Sequence, residues 1–335
     1  MSAIGVGERQ PVTRMRGGVP GGRWGRFGVR RAGRFVASLL LLVTAAFLMI
    51  HLMPGDPVRA ALGPTAPEQM VAARREALGL NLPLWEQYLR YLGRLFTGDL
   101  GTSTISDLPV SQVIGDRLPG TLQLAVLAFV VALGVAIPLG TVMAALTRGG
   151  RRRGAELAFT SSSVLLAAIP EFLLAVLLTY VFAVRLAWFP VAGRGGPGSY
   201  VLPVLALAAG PAAVLARIGR VEMLSVLGDD YVRTARAKRL PARLIYMRHA
   251  LPNALTATLT VGGLLLSALV AGTVLVENVF AWPGLGSTIV QSIRQKDYPV
   301  VQGVVLVYGV GVLAVNLLVD VLLAVLDPRS TIRED

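Results

Sequence analysis

The chain is predicted to be an all-α integral membrane protein with six transmembrane helices, and three observations lead there. Its 335 residues are 54% hydrophobic and only 15% charged, with a mean hydropathy of +0.64, and a soluble domain needs more polar surface than that. Six apolar runs are long enough to cross a hydrocarbon core, which takes about 20 helical residues. None alternates in the two-residue period of a membrane β-strand, and lipid leaves exposed strand edges without partners.

The runs cover residues 35–53, 121–146, 157–184, 200–218, 254–276 and 300–326. The first follows an Arg-rich segment, as a signal peptide would. It reads instead as a retained span, because 19 residues exceed an h-region and no small-residue cleavage site precedes Pro54. Pro138 in the second run and Pro203 in the fourth are expected to permit bends. The third carries Pro170-Glu171 at its middle. There the proline kinks the helix, and the Glu171 carboxyl is a candidate to line a pathway and meet an amino group. The alternative is a protonated or hydrogen-bonded glutamate at a helix contact. Gly262-Gly263 in the fifth run suits close helix packing. Asn316 and Asp320 in the sixth share one helix face and point to interhelical hydrogen bonds.

Basic residues set the direction. With the N-terminus inside, the inner segments hold 22 of the 32 Lys and Arg residues and the outer segments hold 10. Both termini are therefore expected in the cytoplasm. Residues 1–34 form a cytoplasmic basic arm, Gly- and Arg-rich and expected to be largely disordered. Residues 23–34 either lie along the inner leaflet, with Trp24 and Phe27 among the headgroups, or act only as a topology-setting charge cluster. Residues 35–329 form the six-span domain, and residues 330–335 a cytoplasmic tail. The net charge of +13 is spent on this asymmetry, which argues against a nucleic-acid partner.

The outer loop, residues 54–120, has helical periodicity at 67–78 and 84–96, with Leu84, Tyr88, Tyr91, Leu92 and Leu95 on one side. It is too small for an enzyme domain, and its Asp99, Asp107 and Asp116 are too dispersed for a catalytic carboxylate pair. Packing over the outer mouth and meeting a solute-delivery protein are the roles open to it, beside a purely structural cap.

The loop at 219–253 contains a basic, helix-forming island between apolar runs: Asp230-Tyr231-Val232-Arg233-Thr234-Ala235-Arg236-Ala237-Lys238-Arg239-Leu240, then His249-Ala250-Leu251-Pro252-Asn253. Asp229 or Asp230 can cap a helix starting near Tyr231. Pro241 disfavours helix at Leu240, and a second helix is expected from about Ala242 to Ala250, stopped by Pro252. The result is a short rigid lever; the alternative is a positively charged loop resting on headgroups.

This island resembles the ATPase-docking loop of ABC importer permeases, whose pattern is EAA, three residues, Gly, nine residues, I-x-L-P. From about Arg31 to Arg329 the chain resembles more closely the B-type permeases of dipeptide/oligopeptide importers, a group with nickel and glutathione members. His51-Leu52-Met53-Pro54-Gly55-Asp56-Pro57-Val58 carries the likeness first. Leu78-Gly79-Leu80-Asn81-Leu82-Pro83-Leu84 with Gln87-Tyr88 follows, then Gly98-Asp99-Leu100-Gly101-Thr102-Ser103 and Arg117-Leu118-Pro119-Gly120-Thr121-Leu122. Later matches are Trp282-Pro283-Gly284-Leu285-Gly286, Asp297-Tyr298-Pro299 with Val300-Val301-Gln302-Gly303, Asn316 to Asp320, and Leu326-Asp327-Pro328-Arg329. The one unusual position is Arg239, where the family places a glycine. A glycine would supply a positive φ between two short helices, so arginine must adopt that turn at a cost or use another geometry.

The resemblance implies uptake of peptides by alternating access, or of nickel, glutathione or another small solute by the same machinery, in a bacterial or archaeal inner membrane. It implies ABC ATPase subunits at the cytoplasmic face, a second, C-type permease (or a second copy of this chain), and an extracytoplasmic substrate-binding protein. No cofactor is expected on this chain, with ATP and Mg used by partner subunits. The residues agree. No G-x-x-x-x-G-K-[ST] occurs, and Lys238 and Lys296, the two lysines, lack a preceding glycine. The chain has no cysteine, and His51 and His249 lie far apart, which excludes disulfides and argues against a metal centre. Nothing resembles H-E-x-x-H, so no intramembrane enzyme is read. An ion-coupled secondary transporter is the rival class, and matching broken helices in two inverted halves are absent.

Overall fold

The computed structural model describes residues 21–52, 57–63, 65–77 and 79–326. Among these the chain is helical with connecting turns; an isolated bridge between Thr102 and Pro109 is the nearest approach to a strand. The disorder expected of residues 1–20, the tail and the 53–56 motif lie outside the described residues, as do the side chains of Trp24 and Phe27.

Among the described residues five helices are long and apolar enough to cross a membrane: Gly28–Met49, Val110–Gly150, Pro197–Val226, Ala242–Val279 and Tyr298–Val321. The first belongs to α1 (Gly21–Leu52), which begins within the expected arm and runs unbroken into the span. At its upper end follow α2 (Pro57–Leu62), α3 (Glu68–Ala77) and α4 (Leu84–Phe96), the last two on the stretches whose periodicity predicts them. Helix α5 (Val110–Thr147) descends, starting well before the predicted residue 121. A further apolar helix pair, third in chain order, is broken. Helix α6 (Arg153–Ala168) and the helical stretch from Glu171 to Arg185 are together long and apolar enough for one crossing, and are bent by 97°. Ile169 and Pro170 are extended there (ψ 122° and 137°), because proline forbids helix at the preceding residue. Beyond the break, α7 (Glu171–Leu178) continues into π-helical turns at Thr179–Arg185.

Helix α8 (Val201–Val226) descends through the centre of the bundle. Pro203 falls in its first turn, where a missing N–H costs nothing, so it does not bend the span; Pro211 is the interior proline. The packing of α8 on α5 is a seam of small residues: Ala128, Ala132 and Ala136 on α5 face Ala208, Ala212 and Ala216 on α8, all buried. A Cβ added at Gly140 would stand 2.7 Å from the Ala216 carbonyl oxygen, so the backbones touch. Without a hydrophobic drive between helices in lipid, such close approach is what holds them.

At the lower end lie α9 (Asp230–Ala237) and α10 (Ala242–Leu244). The chain then passes through π-helical turns at Ile245–Ala250 straight into α11 (Leu251–Val279). Pro252 therefore does not end a loop helix as its sequence position suggests. It occupies the first turn of α11, and the wide π turn before it absorbs the absent hydrogen bond. Helix α12 (Leu285–Gln295) lies across the upper end, and α13 (Tyr298–Leu326) returns.

Interhelical polar contacts follow the sequence reading. The Ser267 hydroxyl of α11 donates to Asn316 Oδ1 on α13 at 2.8 Å. Asp320 pairs with Arg31 of α1. At Gly263 a Cβ would collide with Val319 of α13, as the Gly262-Gly263 pair predicts.

Candidate functional site

Helix α9 is short because both ends are fixed by sequence. Asp229 stands at its N-cap in extended backbone (φ −66°, ψ 154°) without a side-chain capping bond, a weaker start than the aspartate pair suggests. At the other end Arg239 takes φ 56°. Its N–H donates to the Arg236 carbonyl at 2.8 Å, and the Leu240 N–H to the Ala235 carbonyl at 3.3 Å. These two bonds are a Schellman closure, whose left-handed residue is ordinarily glycine. Arginine thus adopts the glycine geometry and carries its steric cost.

One face of α9 is apolar. Val232 and Ala235 are buried among Met223 and Leu227 at the foot of α8, Ile245 and Ala250 in the π turns, and Ala254 of α11. Polar contacts reinforce the joint. Asn253 Nδ2 donates to the Tyr231 hydroxyl at 2.8 Å, while Arg236 and Arg148 both donate to the Leu227 carbonyl, at 3.3 and 3.1 Å. The other face is open: Asp230, Tyr231, Arg233, Thr234, Ala237, Lys238 and Arg239 are exposed, with Pro252 and Asn253 beside them. Among the described residues Arg233 pairs with its neighbour Asp230, at 3.3 Å. Of the predicted loop residues, then, Val232, Ala235 and Arg236 anchor the helix, Leu240, His249 and Leu251 are half-buried under it, and the rest form a cationic outer surface.

Behind this joint sits a contact the sequence reading missed. Arg220 of α8 is buried, donating from Nη2 to Glu156 Oε1 at 2.6 Å and from Nε to Thr147 Oγ1 at 3.0 Å. It ties the feet of α5, α6 and α8 into one block next to α9. Arg220 falls two residues past the apolar run of residues 200–218, so hydropathy alone gave no reason to expect it buried.

Glu171 begins α7 immediately after the 97° break. Its carboxylate lies against Gly272 of α11, and Oε2 is buried without a hydrogen-bond partner. It is the one predicted pathway residue, and it stands at the bend that Pro170 predicts.

At the upper end, motifs distant in sequence converge. Thr121 Oγ1 donates to the fully buried Glu277 Oε1 at 2.6 Å and accepts from the Leu285 N–H at 2.8 Å. The Trp282 indole N–H donates to the Gly120 carbonyl at 3.1 Å. Ser103 Oγ donates to Asp297 Oδ2 at 2.5 Å, and the Thr104 N–H to Oδ1 at 3.1 Å. Gln87 Nε2 donates to the Leu80 and Leu82 carbonyls at 3.2 and 2.8 Å, and Tyr88 hydrogen-bonds Thr44 of α1 at 2.8 Å. Tyr88, Tyr91, Leu92 and Leu95 pack on Val43, Phe47 and Leu306 as the periodicity of α4 predicts. Leu84 does not: at 55% exposure it lies outside that cluster.

Comparison with known proteins gives a consistent likeness. The family model described as "Binding-protein-dependent transport system inner membrane component" matches residues 136–332. A model for the N-terminal part of binding-protein-dependent transport system membrane components matches residues 25–125. The glutathione transport system permease protein GsiC of Salmonella paratyphi A is 39% identical over 301 residues, 90% of this chain and 97% of that protein. The GsiC of Pectobacterium atrosepticum is 40% identical over 304 residues, with the same coverage. In fold, the chain is similar to the solved inward-facing MetNI methionine ABC transporter, with a TM-score of 0.53, 18% identity and coverage of 64% of this chain and 97% of that one.

Proposed function

Because the chain belongs to the family of binding-protein-dependent transport system inner membrane components, we propose that α9 is the handle through which separate ATP-hydrolysing subunits drive solute uptake. The chain is a multi-pass inner-membrane permease subunit of an ABC importer, a translocation component and not an enzyme. ATPase subunits and a substrate-binding protein are its partners.

The observation that carries the proposal is the two-sidedness of α9. Its apolar face is locked onto the feet of α8 and α11, while Arg233, Lys238 and Arg239 face outward. A partner gripping the cationic face would move α8 and α11 with it, and these two helices together with α5 are the core of the bundle. ATP and Mg act in the partner subunits. The excess of Lys and Arg in the inner segments supports cytoplasmic termini, which puts α9 beside those subunits. A single α9 per chain supports pairing with a second permease, and a C-type chain fits better than a second copy. For cargo, the GsiC relatives support glutathione or a peptide-like solute.

Two measurements test this reading. Arg233→Glu combined with Lys238→Glu should lower ATP-dependent uptake at least about 10-fold in proteoliposomes, since several exposed charge contacts are reversed at once, with membrane insertion unchanged. Both residues are exposed, whereas Arg236 also braces Leu227 and would confound the result. Wild-type uptake by that variant would sink the handle. Labelling of Ala237→Cys only by impermeant reagent added outside the cell would sink the orientation.

A further inference from the structure

At the upper end, α3 and α4 stand off from the head of α13 and leave a crevice of about 780 Å³. It continues past Ala77, Leu80, Arg94 and Gln302 into a second chamber of about 570 Å³ that reaches His51 and Tyr91. These volumes suit a small solute. The walls are apolar where Met70, Leu100 and Pro299 line them, and charged at four places: Arg74 and Arg94, Asp99 and Asp107.

Both signs of charge line one space, and none of the four is in an ion pair among the described residues. All four side chains are exposed, where pairing gains at most about 1 kcal/mol. Here backbone holds them apart. Asp99 accepts the Gly101 N–H at 2.8 Å, and Asp107 sits in a turn at φ 53°. Arg94 is carried by α4, whose apolar side is fixed on α1. The second chamber adds an independent sign of a missing ligand. Tyr91 is 6% exposed, lines that chamber, and its hydroxyl has no hydrogen-bond partner. The Gln302 side chain lies close enough to act on that hydroxyl, although its amide donates to the Ala46 carbonyl at 3.1 Å. Burial pushes the Tyr91 pKa up to about 12. A buried donor left unpaired is costly.

We propose that this crevice is a binding site for a zwitterionic solute, one bearing both a carboxylate and an ammonium group. Arg94 and Arg74 receive the carboxylate, Asp99 and Asp107 the ammonium, and the Tyr91 hydroxyl donates to a carbonyl reaching the inner chamber. The site lies on the far side of the bundle from α9. It deepens the importer reading, on which it rests only for the direction of traffic, by giving a solute a holding place at the outer mouth.

The test uses the assembled importer in lipid nanodiscs, without ATP and without its binding protein, and a radiolabelled alanine tripeptide as probe. Binding should saturate, and acetylating and amidating the two ends should abolish it. Arg94→Ala and Asp99→Asn should each weaken it about 10-fold or more, and Tyr91→Phe about 5-fold, the ranges of charged and neutral hydrogen bonds. Pairing changes in probe and protein guards against a merely unstable variant. With the N-acetylated tripeptide, Asp99→Asn should no longer matter while Arg94→Ala still does. Equal binding of free and blocked tripeptide, indifference to all three substitutions, or no binding at millimolar probe overturns the proposal. Uptake is read separately, with the binding protein and ATP restored. Uptake that persists without crevice binding removes this site alone; uptake indifferent to ATP removes the importer reading and leaves the site standing.

Discussion

The Thr121 hydroxyl joins the head of α5 to Glu277 at the end of α11, donating at 2.6 Å while accepting from the Leu285 N–H at 2.8 Å. One side chain thus closes three helices over a carboxylate that is fully buried. Thr121→Val keeps the shape but removes a donor from that carboxylate and an acceptor from Leu285. It should cost about 1–3 kcal/mol, the penalty of buried groups left unpaired. Thermal unfolding of the detergent-solubilised chain checks this, with Thr121→Ser expected to stay near wild type.

Asp297 staples the outer loop to the head of α13 through Ser103 and Thr104. Asp297→Ala should free the turn at residues 98–109 while the helices remain folded. Amide hydrogen exchange in that turn should accelerate about 10-fold, as expected for the loss of about 1–3 kcal/mol of local stability. Unchanged protection there would show that the apolar contacts of Val110 and Ile114 suffice.

Arg220→Ala should destabilise the chain by about 1–3 kcal/mol. A fully buried ion pair would lose more on removal of one partner, but the Glu156 side chain is 36% exposed and partly screened. Arg220→Met with Glu156→Gln should recover part of the loss, since no charge is then left unpaired. A melting series of the three variants decides it.

Arg239→Gly should raise stability by about 0.5–1 kcal/mol, because φ 56° strains any residue with a Cβ. Arg239→Val should lower it, β-branching being least tolerant of that region. If the Gly variant melts below wild type, the Arg239 side chain contributes more than its backbone costs.

Gly263→Ala should destabilise by about 1–3 kcal/mol, since the added methyl collides with Val319. Val319→Ala in the same chain should restore most of the loss. A double-mutant cycle measured by thermal unfolding reads the coupling between α11 and α13.

Much of this was legible in the order of the residues. The spans, the helices of the outer loop and the length of α9 follow from hydropathy, periodicity and proline. Asn316 and Asp320 declared themselves as interhelical contacts because a polar side chain in lipid must find a partner. Arg220 and Glu277 escaped that logic, because each lies just past the end of an apolar run and only the observed helices, running on to Val226 and Val279, bury them. Leu84, Pro203 and Pro252 show where local pattern stops short. An apolar residue at a helix start has no neighbour to cover it. A proline's effect depends on whether it meets a first turn or an interior one, and that register is set by packing.

By itself the sequence determined that this chain crosses a membrane as helices, which of its loops carries a short cationic helix, and that Arg239 stands where a glycine's turn is expected. Those are properties of short stretches, fixed by transfer free energy and backbone sterics. Only the tertiary structure decided that Thr121 and Glu277, 156 residues apart, close one joint. It likewise decided that the third apolar stretch breaks by 97° at Pro170, and that four charges without an ion pair among the described residues share a crevice. Such relations depend on which helices touch, and in lipid that choice rests on the fit of small residues such as those between α5 and α8, which no single stretch of chain contains.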